Sequence, residues 1–159
     1  GFEIDDERLF PYYEICDNYR LPVLIHIGES WKSMKTVFNY PESILRAADR
    51  FSNIPFILGH AALLFYEDSF HVAANRENVY LEVSGYQKII DKEEILFERM
   101  QREMCEIPDK ILFGSDWPMY HTLLEDIAYF DKMDFLTQEQ KDKFFFKNAQ
   151  RILDIQNNL

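Results

Sequence analysis

Four short apolar runs, residues 23–27, 54–58, 79–83 and 110–113, alternate with stretches of helical spacing, and the units recur roughly every 24 to 32 residues. Strands that alternate with helices build a parallel sheet with right-handed crossovers, so this rhythm excludes most other α/β arrangements. The first run has almost no polar alternation, which predicts a strand covered on both faces. Three of the runs end on residues that bear chemistry. The first carries His26, the second leads through Gly59 to His60, and the fourth leads through Gly114 and Ser115 to Asp116. Pro118 follows and prevents the last run from continuing as a central strand. In parallel sheets the loops converge on a crevice at the C-terminal strand tips, so two histidines and an aspartate are expected around one opening.

The intervening segments read as helices. Asp5 and Asp6 offer caps, Pro11 suits an opening turn, and Leu9, Tyr12, Tyr13, Cys16 and Tyr19 form the expected apolar stripe of the first helix. Pro41 opens a second helix, residues 66–75 form a third, and residues 92–106 a fourth with Leu96, Met100 and Met104 on one face. Residues 123–132 are helical by pattern. Thr137 and Gln140 have the spacing of a capping box at the head of a final helix carrying Phe144, Phe145, Ala149, Ile152 and Leu153. No linker interrupts the pattern, which reads as one domain over residues 1–159.

The net charge of −11 excludes a nucleic-acid backbone as partner, since the lysines and arginines are scattered rather than gathered in a basic patch. No apolar run approaches the ~18 residues of a spanning helix and no charged-then-apolar leader opens the chain, so no membrane partner and a cytoplasmic location are expected. Cys16 and Cys105 fall on apolar stripes and are expected to be buried, reduced thiols; no CxxC spacing occurs. The chain starts at Gly1 without an initiator methionine, which fits excision from a longer chain as readily as processing.

Two architectures accommodate four such units. An open doubly wound sheet that bound a nucleotide would carry a Gly-rich loop after its first strand, and His26-Ile27-Gly28-Glu29-Ser30 is not one; no GxxxxGK[ST] occurs either. An open sheet for another ligand stays open as an alternative. The expected architecture is an α/β fold of the (β/α)8 TIM-barrel type. A complete barrel needs ~250 residues, so this chain holds about half of one. Both outer strands, residues 23–27 and 111–113, would then present apolar edges with unpaired backbone, and such edges invite association. The missing strands are expected from an N-terminal half outside the chain, a separate chain, or a second copy in a homo-oligomer.

A catalytic zinc takes three protein ligands and leaves a position for water; His26 and Asp116 can supply two, and His60 a third or a substrate contact. At this point the residues resemble a family. Leu21-Pro22-Val23-Leu24-Ile25-His26-Ile27-Gly28, Leu58-Gly59-His60-Ala61, Tyr80-Leu81-Glu82-Val83-Ser84-Gly85 and Ile111-Leu112-Phe113-Gly114-Ser115-Asp116-Trp117-Pro118 resemble, in order and spacing, the amidohydrolase-related metal-dependent hydrolases. The closing Asn148-Ala149-Gln150-Arg151-Ile152-Leu153 is similar to that family's ending. The resemblance implies that the chain supplies strands 5–8 of the barrel with their helices. It implies His26 and Asp116 as metal ligands, Asp116 as general acid/base, and His60 as a catalytic residue that polarises water or substrate. It also implies a small-molecule substrate, hydrolysis by a metal-activated water, and a divalent metal ion, zinc with manganese as the alternative. Decarboxylation by the same family is the runner-up, and a non-catalytic half-barrel serving binding or assembly is the rival class.

One departure stands against the resemblance: the family's His-x-His ligand pair is absent, which implies that this chain alone is inactive. His71 lies in an expected helix and reads as structural. Trp31, Trp117 and His121 are the candidates for substrate contact, with plain packing or a solvated loop as the alternative for each, and Glu29 sits near the mouth. His26 can also be read as a buried structural histidine and Asp116 as a helix cap. Ser84 and Gly85 read as shaping a turn; no GxSxG elbow supports serine hydrolysis.

Overall fold

The computed structural model describes residues 3–28, 36–63, 65–86, 94–118 and 123–154. Helix α1 (Phe10–Tyr19) leads into strand β1 (Val23–His26), and α2 (Leu45–Arg50) into β2 (Phe56–Gly59). Helix α3 (Tyr66–Asn75) precedes β3 (Val79–Glu82), and α4 (Glu94–Glu106) precedes β4 (Ile111–Leu112). Helices α5 (Leu123–Asp131), α6 (Gln138–Asp142) and α7 (Asn148–Asp154) follow, the last two joined by a π-helical turn, Lys143–Lys147.

The strands form one parallel sheet in the order β1-β2-β3-β4, with His26 opposite Gly59 and Glu82 opposite Leu112. The strand order runs with the sequence and never reverses. Right-handed crossovers then place every connecting helix on the same face, which is the barrel-type winding and not the doubly wound one. Period-2 alternation sorts the strand side chains accordingly. Phe56, Leu58, Val79, Leu81 and Ile111 join Phe70, Met100, Phe130 and Phe144 in the main core beneath the helices. On the opposite face Tyr80 and Leu112 pack with Ile152 of α7 in a second, smaller cluster.

Several expectations need correction. Strand β1 is not covered on both faces: Leu24 is 67 % exposed and His26 is exposed, because β1 is an edge strand whose second face stays open to solvent at Leu24 among the described residues. In α1 the core face is Phe10 and Tyr13, with Leu9 and Cys16 packed against it. Tyr12 and Tyr19 are exposed and line up with Ile15 at i, i+3 and i+7, a second apolar face on the same helix. Cys105 is exposed, since it sits one residue beyond buried Met104 and the helix turns ~100° per residue; Cys16 is half-buried. The capping box at Thr137 forms as expected, with Thr137 Oγ1 accepting from Gln140 N and Gln140 Oε1 from Thr137 N.

The β4 edge carries contacts of its own. The carbonyls of Lys110 and Leu112 face β3, so those of the alternate residues point outward. There Asn148 Nδ2 donates to Ile111 O at 2.9 Å, and Phe113 N donates to Phe144 O at 3.0 Å. The terminal helices therefore occupy hydrogen-bonding positions that a neighbouring strand would use.

Candidate functional site

The C-terminal tips of β1, β2 and β3 gather His26, His60, Glu82 and Ser84. The His26 and His60 rings meet edge to face, 4.7 Å between centroids. His26 is the last residue of β1 and stands opposite Gly59, so parallel register brings it beside the residue that follows Gly59. His60 has φ +64 and Ala61 φ +40, two consecutive left-handed residues with no glycine between them. Such strain persists only where the surroundings impose it, and it collects at functional turns. Here His60 N donates to Glu82 Oε2 at 3.2 Å and Ala61 is fully buried.

Glu82 organises the cluster. Oε1 accepts from Ser84 N at 2.6 Å, and Oε2 accepts from Ser84 Oγ at 2.9 Å as well as from His60 N. Ser84 Oγ lies 2.8 Å from His60 Nδ1. The carboxylate fills the space beside Gly114: a Cβ there would fall 1.8 Å from Glu82 Oε1 and 2.4 Å from its Cδ. Gly114 is thus a glycine for room, not for a left-handed turn. Sequence reasoning assigned no role to Glu82 and only a turn to Ser84. The available signal was a lone acid in an apolar strand, at the same tip position as His26.

Asp116 follows β4 with φ +52, a left-handed conformation that aspartate tolerates better than most residues, and is half-buried. Ser115 Oγ accepts from Trp117 N at 3.2 Å, tying the loop on itself. Trp117 is 68 % exposed, so its ring is open to solvent rather than packed. His71 is exposed on α3 and lies with Asn75, consistent with a structural surface residue. Trp31, His121 and Glu29 lie outside the described residues.

The donor chemistry at the tips suits a divalent metal, but the set is short. Among the described residues no three His, Cys, Asp or Glu side chains stand close enough together to hold an ion. A catalytic zinc takes three protein ligands. The described residues of this chain therefore do not by themselves fit a resident metal.

A parallel sheet wound on one side, with polar residues collected at its C-terminal tips, defines a barrel-type α/β fold. The amidohydrolase family model matches residues 1–155, and the chain belongs to that family. No curated protein matches the sequence significantly. Among solved structures, an uncharacterised TIM-barrel protein from Bordetella bronchiseptica is similar at 24% identity and a TM-score of 0.84, over 98% of this chain and 53% of that one. A 5-carboxyvanillate decarboxylase from Novosphingobium aromaticivorans, complexed with manganese and 4-hydroxy-3-methoxy-5-nitrobenzoic acid, is similar at 18% identity and a TM-score of 0.66, over 97% and 53%. A 4-oxalomesaconate hydratase from Rhodopseudomonas palustris is similar at 20% identity and a TM-score of 0.58, over 98% and 53%. At these identities the likeness shows the fold. The chain spans about half the length of these structures.

Proposed function

We propose that this chain carries the C-terminal half, strands 5–8, of an amidohydrolase-type (β/α)8 barrel that hydrolyses a small molecule with the help of a divalent metal. The observation that carries this reading is the meeting of His26 and His60 at adjacent strand tips, 4.7 Å apart. In the completed barrel His26 and Asp116 would hold the metal, zinc or manganese, together with ligands from outside residues 1–159. The chain alone is inactive because it lacks the His-x-His pair. Asp116 takes and returns the proton of the attacking water, and His60, positioned by Ser84 and Glu82, orients water or substrate at the same opening. Trp117 contributes an exposed aromatic face to the mouth. Decarboxylation is the alternative, favoured by the similarity to a manganese-bound decarboxylase.

The remaining strands would join at the β1 edge, where Leu24 and the second apolar face of α1, Tyr12, Ile15 and Tyr19, are exposed, and would close the barrel at the outer edge of β4. They come from an N-terminal half or a second copy. Purified alone, the chain should carry no stoichiometric metal by plasma mass spectrometry and show no hydrolytic turnover. Completed by the missing strands, it should bind metal and turn over, and Asp116→Asn should lower kcat by ~10²–10⁴-fold, the usual loss for a general acid/base. Stoichiometric metal with activity in the isolated chain, or an unchanged rate in Asp116→Asn, would overturn the proposal.

A further inference from the structure

The hydrogen bonds at the β2 and β3 tips run in one direction. Glu82 uses both oxygens as acceptors for backbone N–H groups, Ser84 N on Oε1 and His60 N on Oε2. The 2.9 Å contact between Ser84 Oγ and Glu82 Oε2 then requires the serine proton, the one proton its hydroxyl has. With that proton committed, Ser84 Oγ can meet His60 Nδ1 at 2.8 Å only as an acceptor. The imidazole must therefore donate from Nδ1. Ser84 is fully buried, so water cannot exchange freely into this arrangement, and an unmet donor or acceptor there costs about 1–3 kcal/mol.

We infer that Glu82, acting through the Ser84 hydroxyl, locks the neutral His60 ring as its Nδ1–H tautomer and leaves the Nε2 lone pair for the site. Both are positioning residues: neither is required to touch substrate. The lock decides what His60 can do. A ring held this way accepts a proton or a hydrogen bond through Nε2 and does not offer an N–H there, so it suits holding a water or a substrate donor and not polarising a carbonyl. The left-handed backbone of His60 serves the same end, because it turns the main-chain N–H onto the oxygen that also receives the serine proton. Gly114 completes the device by leaving space for the carboxylate.

A use for Nε2 rests on the catalytic reading above, but the tautomer itself is read without turnover. The experiment is a long-range 1H–15N correlation spectrum of the chain labelled at histidine, recorded well above the ordinary imidazole value of about 6.5. With four histidines in the sequence, His60 is assigned by the signal that disappears in His60→Asn. Wild type should show a protonated Nδ1 and an unprotonated Nε2 at His60. Ser84→Ala should lose that pattern and move toward the Nε2–H form that free imidazole side chains favour, and Ser84→Thr, which keeps the hydroxyl, should restore it. An Nε2–H ring in wild type overturns the inference, and so does a tautomer unchanged in Ser84→Ala. If Ser84→Ala does not fold, the wild-type and Ser84→Thr spectra still decide. A confirmed lock with no activity in the completed enzyme would count against the catalytic reading and leave the tautomer assignment standing.

Discussion

Replacing Gly114 by alanine tests the organisation of the site through a single methyl group. The new Cβ would lie 1.8 Å from Glu82 Oε1, and ordinary van der Waals contact begins at 3.4 Å, so the carboxylate must recede by about 1.6 Å. Oε1 is also the atom that accepts from Ser84 N at 2.6 Å, so receding breaks that bond. A hydrogen bond to a charged group is worth about 1.5–3 kcal/mol, and overpacking adds about 1–3 kcal/mol. Part of the strain relaxes because the end of a glutamate is flexible, which puts the net loss at about 2–4 kcal/mol. For a chain of this size that lowers Tm by on the order of 5–15 °C. Urea unfolding followed by circular dichroism measures it directly. The diagnostic step is the double-mutant cycle with Glu82→Ala: once the carboxylate is gone, Gly114→Ala should cost little, giving a coupling of about 1–3 kcal/mol between the two positions. A neutral Gly114→Ala, or the same loss with and without Glu82, would refute the claim that glycine is there to house the glutamate.

Two further outcomes follow from buried groups elsewhere. Asn148 is 1 % exposed and donates from Nδ2 to both Pro108 O and Ile111 O, so Asn148→Ala strands two carbonyls and should cost about 2–4 kcal/mol in urea unfolding; a loss below about 1 kcal/mol would show that those carbonyls find other partners. Tyr13, buried with its hydroxyl donating to Ile4 O, is pushed up to about 12 by burial, whereas the unfolded chain titrates it near 10. The neutral form is the folded form, so its stabilisation is complete below about pH 10 and disappears as the pH rises toward 12. Unfolding midpoints between pH 8 and 12 should fall over that window, and Tyr13→Phe should flatten the fall.

Much of the framework was legible because it is local. Four apolar runs announced four strands, and the Thr137–Gln140 pair announced a helix start whose hydrogen bonds form between neighbours in sequence. What escaped was the part that depends on which element lies beside which. Tyr12 and Tyr19 have the spacing of a core stripe, yet Phe10 and Tyr13 take the core and leave the tyrosines outside. Leu24 is as apolar as Ile25, but only the alternate residues of an edge strand meet the helices. His26 and His60 could be picked out as strand-tip residues. Glu82 stands at the same tip position, but its role was not legible, because its partners come from β2, from the turn after β3, and from the room left by a glycine beyond β4. The gathering of Asp116 with the histidines was expected from sequence, whereas the described residues hold no three-ligand group.

The terminal helices make the two margins of the sheet unequal. Phe144 O and Asn148 Nδ2 engage backbone groups on the far side of β4, while β1 offers Leu24 and its neighbours to whatever arrives. Unpaired margins invite strand addition, and the margin already hydrogen-bonded at Ile111 and Phe113 is the less open of the two. If β4 takes a neighbouring strand, the groups of Phe144 and Asn148 have to yield or share those positions, so strand pairing at β4 is an exchange of hydrogen bonds whereas pairing at β1 is an addition.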